Sequence, residues 1–172
     1  GLQSIAADAA LKEQALRYLQ QWLTDPQFAA YRPQLDWLIH LATSPGKQMQ
    51  LITEWPRRLA RLAHYASCCS MMPGPHEPCV NPLPRDKRFA APQWQEWPFN
   101  IIHQAFLLQE QWWDAATTGI RGVTLQHERE VSFAARQLLD IMSPANFVAT
   151  NPLVLRQTLA ESGANLVRGA MN

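Results

Sequence analysis

Apolar residues in this chain recur at steps of three, four and seven. No segment alternates apolar and polar positions, with β-branched enrichment, for long enough to make a strand. The pattern predicts an all-α fold of about six helices. The first is expected over residues 4–23, with Ser4 as N-cap, Ile5, Ala9, Leu16, Leu19 and Leu23 along one side, and Pro26 beyond its end. Pro33 suits the first turn of a short second helix bearing Leu35, Leu38 and Leu41. Ser44-Pro45 repeats that start signal for a third helix reaching about Met71. Its seam is Ile52, Trp55, Leu59, Leu62, Ala66 and Cys69, with Arg57, Arg58 and Arg61 on other faces. Pro56 deletes one backbone donor and is expected to kink it.

Pro73, Pro75, Pro78, Pro82, Pro84, Pro92 and Pro98 are seven of the chain's 13 prolines. They fix φ repeatedly and remove donors, so residues 73–98 are predicted to be an extended linker. It separates a helical N-terminal extension, 1–72, from a helical core, 99–172. Pro98 opens a fourth helix to about Thr117. Its Phe99, Ile101, Ile102, Ala105, Phe106, Leu108, Trp112 and Trp113 wrap more than one face, which predicts a central place in the core or a partner outside it. Thr124 caps a fifth helix to about Met142, with Val131, Ala134, Ala135, Leu138 and Met142 inward, and Ser143-Pro144 stops it, with Asn146 bonding local backbone. Asn151-Pro152 begins a sixth, through Leu153, Leu155 and Leu159 to about Ser162. Gly163 suits a left-handed terminus there, and residues 165–169 add a last turn.

At 172 residues and 47% hydrophobic content the chain can bury a core of its own. A net charge of +1 with both signs interspersed lacks the dense basic surface that phosphate binding needs, so nucleic acid is not expected as a partner. No apolar run reaches the roughly 18 residues of a membrane span, and Asp8, Lys12, Glu13 and Arg17 rule out a signal peptide in the first helix. Three cysteines at irregular spacing fit a reducing compartment, the cytoplasm. His64, Cys68, Cys69, His76 and Cys79 raise a zinc reading, because His76 and Cys79 are three apart and His64 and Cys68 one helical turn apart. Adjacent Cys68 and Cys69 diverge by about 100° on a helix, so the preferred reading is small apolar cysteines with no metal or other cofactor.

The sharpest constellation is Asp86, Arg88, Phe89 and Trp94. An aspartate two residues before an arginine can make a local charge-assisted contact, and the two aromatic rings give a linker enough area to dock. These residues open an ordered series. Asp86-Lys87-Arg88-Phe89 is followed by Trp94, Pro98-Phe99, Arg136-Gln137-Leu138-Leu139-Asp140, Ser143-Pro144-Ala145-Asn146-Phe147, Thr150-Asn151-Pro152 and Asn165-Leu166-Val167-Arg168-Gly169. The series closely resembles the N-terminal domain of bacterial poly(3-hydroxyalkanoate) synthases. Asp36-Trp37-Leu38-Ile39-His40-Leu41-Ala42, with Ser44-Pro45-Gly46-Lys47-Gln48, resembles the short helical segment that precedes it. Trp97 departs from the pattern, where a smaller polar residue such as asparagine is common.

The resemblance implies a parent acyltransferase that polymerises 3-hydroxyacyl groups carried on coenzyme A. Its nucleophile is a cysteine in a Gly-x-Cys-x-Gly turn of a downstream α/β-hydrolase domain. None of Cys68, Cys69 or Cys79 has a flanking glycine, so this chain is expected to be a non-catalytic piece of a longer polypeptide. For that piece the resemblance implies a homodimer, attachment to polyester granules, and contacts with its own catalytic domain and with granule-associated proteins such as phasins. Asp86, Arg88, Phe89, Trp94, Phe99, Phe106, Trp112 and Trp113 are the expected docking residues. Trp55, Arg57, Arg58 and Arg61 are the expected granule or partner surface. A free-standing module that regulates polyester synthesis and a small metalloprotein are the alternatives.

Overall fold

The computed structural model describes residues 14, 17, 18, 21, 25–71, 74 and 76–171. Among them run six α-helices, three 3-10 turns and no strand. The helices are α1 (Arg32–Ala42), α2 (Pro45–Met71), α3 (Phe99–Thr117), α4 (Leu125–Ile141), α5 (Pro152–Ala160) and α6 (Ala164–Ala170). The all-α expectation therefore holds. The helix expected over residues 4–23 lies outside the described residues, apart from Gln14, Arg17, Tyr18 and Gln21, which are helical.

Helix boundaries follow local chemistry. The Thr124 hydroxyl accepts from the His127 N–H at 3.2 Å, and the Asn151 side chain accepts from Leu153 and Val154 N–H groups at 3.0 and 3.3 Å, so each satisfies donors that a first turn leaves open. After α4, Asn146 donates to the carbonyls of Asp140 and Ile141 at 2.7 and 3.2 Å. α5 ends at Ala160, short of the expected Ser162, because Ser162 and Gly163 both take positive φ, 50° and 86°. Gly163 then stands directly before α6. α2 runs unbroken across Pro56.

α3 is the centre of the fold. It buries Phe106, Leu107, Leu108 and Ala116 together with the polar Asn100, His103, Gln104 and Thr117, which is the all-round burial its apolar wrap predicts. α2 and α4 flank it, and α1 packs on α4 and α2. Between residues 76 and 98 the chain makes no α-helix, only the 3-10 turn Pro92–Gln95. Yet this stretch sends Val80, Phe89 and Trp94 into the core, each aromatic ring contributing on the order of 2–3 kcal/mol by removal from water.

Two faces differ from expectation. On α4 the inward stripe is Val131, Ala135 and Leu139, and Leu138 and Met142 are 63% and 62% exposed. Adjacent leucines at 138 and 139 lie about 100° apart on the helix, and spacing alone does not choose between them. On α2 the residues turned to the core are Leu51, Arg58, Leu62 and Tyr65. The first half of the expected seam, Ile52, Trp55 and Leu59, faces out at 65%, 41% and 48% exposure, because the inward stripe includes an arginine that the apolar pattern assigns to another face.

Candidate functional site

Arg88 joins three parts of the fold. Asp86 accepts from the Arg88 backbone N–H and from Nε, both at 3.0 Å, and its other oxygen accepts from Nη2 at 2.7 Å, a forked contact that closes a tight local turn. Nη2 also donates to Glu110 of α3 at 2.8 Å, and Nη1 to Asp140 of α4 at 2.9 Å. The guanidinium lies 5.5 Å from the Phe89 ring centroid and 5.3 Å from that of Phe106. Hydrogen bonds from Arg88 hold the Asp86 carboxyl below its ordinary value, and the same contacts raise Arg88. Burial pushes Glu110 up in spite of its arginine partner. Three carboxylates thus share one cation beside an open cleft of about 550 Å³, walled by Val80, Leu107, Trp113 and Leu139.

Phe89 and Trp94 meet edge to face with centroids 4.8 Å apart. The His103 ring stacks on Phe89 at 5.5 Å, and Phe99 closes on Trp94 at 6.4 Å. Trp94 and Gln104 are fully buried. Gln104 pairs with the backbone of Val80 as a strand would: its oxygen accepts from the Val80 N–H at 2.8 Å and its amide donates to the Val80 carbonyl at 3.0 Å. The same amide lies 2.9 Å from His103 Nε2, which must therefore accept, leaving Nδ1–H to donate to the Phe99 carbonyl at 3.2 Å. Burial holds this neutral imidazole below its usual range.

The other end of α3 is covered by α2 and α1. Trp112 stacks edge to face with Trp55 at 5.7 Å and Trp113 at 5.5 Å, and its indole N–H donates to the Leu51 carbonyl at 3.3 Å. Arg58 lies inside this joint, bonded to Glu54 at 2.7 Å and to Gln111 at 3.3 Å. Arg61 donates to the Cys79 carbonyl, and it and Arg57 are exposed while Arg58 is turned inward. They do not make one basic face. The thiol of Cys68 faces His64 at 3.8 Å, that of Cys69 faces Asn100 at 3.3 Å, and that of Cys79 faces the Arg61 carbonyl at 3.4 Å. Among the described residues no group of three or more such side chains has a geometry that would hold a metal ion. No described helix is long and apolar enough to cross a membrane.

α1 docks through residues of its own motif. Asp36 accepts from His127 of α4 at 2.7 Å and lies 3.1 Å from His40, while the Trp37 indole donates to the Ala116 carbonyl at 2.9 Å. The His40 ring fills the space above Gly122, where a Cβ would sit 2.2 Å from it. Gln48 ties the α1–α2 corner by donating to the carbonyls of Leu41 and Ala42 at 2.8 and 2.7 Å.

The structure thus brings Asp86, Arg88, Phe89, Trp94, Phe99 and Phe106 together on one side of α3, and Trp55, Arg58, Trp112 and Trp113 at its far end. Trp97, 67% exposed, joins neither group. Sequence reasoning missed Glu110, Asp140, His103 and Gln104. For Glu110, His103 and Gln104 the available signal was polar residues inside the otherwise apolar helix over 99–117, a pattern that marks satisfied buried partners, and Asp140 stands at the end of the Arg136–Asp140 motif.

The family model described as the poly-beta-hydroxybutyrate polymerase (PhaC) N-terminus matches residues 85–172. The chain is 42% identical over 127 residues to a poly(3-hydroxyalkanoate) polymerase of Methylorubrum extorquens, covering 73% of this chain and 21% of that protein. It is 33% identical over 151 residues to a poly(3-hydroxyalkanoate) polymerase subunit of Rhizobium meliloti, covering 87% and 21%. With the corresponding subunit of Cupriavidus necator the identity is 32% over 88 residues, 51% of this chain and 15% of that protein. The chain therefore spans about a fifth or less of the length of these relatives. No solved structure matches it.

Proposed function

This chain belongs to the family of poly-beta-hydroxybutyrate polymerase N-terminal regions, and from that membership we propose that it is the non-catalytic N-terminal part of a poly(3-hydroxyalkanoate) polymerase. In this reading acyl transfer from 3-hydroxyacyl coenzyme A belongs to a catalytic domain elsewhere in the polypeptide. The part described here is a helical scaffold that supports dimerisation and holds the enzyme at the surface of cytoplasmic polyester granules, where it meets phasins.

The observation that carries the reading is how the side chains are used. Arg88, Phe89 and Trp94 are consumed in contacts with the chain's own helices. Met49, Ile52 and Leu59, by contrast, form one outward ridge of α2 at 48–65% exposure, with Trp55, edge-on to Trp112, at its side and Arg57 exposed nearby. An apolar ridge with a cation at its flank suits a helix lying on an apolar surface in water.

The test is a fluorescent fusion of this chain produced in cells that hold polyester granules. The native sequence is expected to mark the granule rim. The Ile52→Glu/Leu59→Glu variant, altered only at exposed positions, is expected to be diffuse with an unchanged helical circular dichroism spectrum. A diffuse native fusion, or a variant that still marks the rim, would remove the reading.

A further inference from the structure

α1 covers only part of one flank of α4. Asp36 accepts from His127, and one turn further along α1 the His40 ring lies over Gly122, so α1 runs antiparallel to α4, its first residues toward the later turns of α4. α1 begins four residues before Asp36, about 6 Å, which carries it along α4 to roughly the level of Val131. At 100° per residue His127, Ala134, Leu138 and Ile141 fall within about 60° of one another, on the flank that α1 occupies. The first two are half-buried. Leu138 and Ile141, past the start of α1, are 63% and 67% exposed, and Met142 beside them is exposed too. An apolar flank is left open where the chain enters α1.

The segment that enters there is amphipathic. Gln14, Arg17, Tyr18 and Gln21 are helical and exposed, and at 100° per residue they fall within about 100° on one side of a helix. The apolar seam expected from the sequence, Ile5, Ala9, Leu16, Leu19 and Leu23, falls on the opposite side. A lone helix of about 20 residues is marginal in water and owes most of its stability to packing of its apolar face, so the seam calls for a cover. The Asp25 N–H donates to the Gln21 carbonyl at 3.0 Å, and the 3-10 turn Pro26–Tyr31 then leads directly into α1. This short tether keeps the seam beside Leu138 and Ile141 at an effective concentration on the order of millimolar, which a second copy lacks. The outward ridge of α2, from Met49 to Leu59, lies beyond the other end of α1.

We propose that residues 4–23 dock their apolar seam on the flank of α4 at Leu138, Ile141 and Met142. The inference stands apart from granule attachment and assigns the N-terminal segment a seat on the helical core. Hydrogen exchange of the purified full chain, read by mass spectrometry, is expected to show residues 4–23 protected by about tenfold or more over an unstructured chain. Leu138→Asp/Ile141→Asp, at exposed positions, should remove that protection and leave α3 as slow to exchange as before. Leu16→Asp/Leu19→Asp should do the same from the other side. Residues 4–23 that exchange as an unstructured chain, or that stay protected in Leu138→Asp/Ile141→Asp, would overturn the proposal. So would protection that grows with protein concentration, which means a second copy, or that is lost on Leu38→Asp/Ile39→Asp and kept in the α4 variant, which means the outward face of α1. If the α4 variant also loosens α3, a Leu19→Cys/Ile141→Cys chain decides. A short bifunctional thiol reagent should then join positions 19 and 141 within one chain, and their failure to join would overturn the docking.

Discussion

Replacing Arg88 by methionine leaves an apolar stem over Phe89 and Phe106 while taking the guanidinium away from Asp86, Glu110 and Asp140. The three losses are unequal. The Asp140 side chain is 56% exposed, and a pair that open to water is worth less than about 1 kcal/mol. The Asp86 and Glu110 side chains are 13% and 26% exposed, and between them they give up three charge-assisted bonds, each roughly 1.5 kcal/mol at the lower end for charged partners. The expected loss is about 3–5 kcal/mol, the range for stripping one partner from a largely buried charge, against a whole-domain stability of roughly 5–15 kcal/mol. Urea unfolding followed by tryptophan fluorescence measures it, because Trp94 lies beside Phe89.

The pH dependence of this deficit gives a second, sharper check. Burial already holds the folded Glu110 carboxyl above its ordinary value, and loss of Arg88 raises it further. A group whose folded value is raised binds its proton earlier in the folded state than in the unfolded one, so the variant regains stability as pH falls through the folded value. The deficit at pH 5 should be smaller than at pH 7. A loss below about 1 kcal/mol at pH 7, or a deficit that grows on acidification, would refute the assignment of Arg88 as the cation that these carboxylates depend on.

Gln104→Leu is expected to cost about 2–5 kcal/mol in the same assay, because it leaves a buried N–H and a buried carbonyl of Val80 unpaired at about 1–3 kcal/mol each; a change under 1 kcal/mol would contradict it. Gly122→Ala places a methyl group 2.2 Å from the His40 ring at a φ of 101°, with an expected loss of about 2–4 kcal/mol. Adding His40→Ala should recover part of it, and strict additivity in that cycle would argue against the clash. His103 stays neutral in the fold below its ordinary value of 6.5, so native stability should fall as pH drops below about 6.5, by at most about 1.4 kcal/mol per pH unit from this group. The His103→Gln variant should show a shallower slope between pH 7 and 5.5, and an identical slope would rule out His103 as the source.

What could be read from the sequence was what neighbouring residues decide. The caps at Thr124 and Asn151, the stop at Ser143-Pro144 and the left-handed Gly163 depend on side chains bonding backbone a few residues away, and the residue types alone indicate them. The Asp86–Arg88 fork is similarly local. Glu110 and Asp140 are 22 and 52 residues from Arg88, and Gln104 is 24 from Val80. Such pairings follow from how helices settle against one another, which periodicity does not encode. The misassigned faces have the same origin. Leu138 against Leu139, and Ile52 against Leu51, are choices of helix rotation, and an inward Arg58 that satisfies itself on Glu54 and Gln111 tips the second one.

The stretch matched by the family model starts at residue 85, but α3 does not end its dealings there. The Trp112 indole is anchored on Leu51, the Ala116 carbonyl on Trp37, and Gln104 on Val80. A polypeptide trimmed to begin at residue 85 would strip the roof from Trp112 and strand the Gln104 amide and the Ala116 carbonyl along its central rod. Whoever prepares the shorter piece for study should expect a sticky, poorly behaved sample, and one that starts no later than Pro26 should behave better.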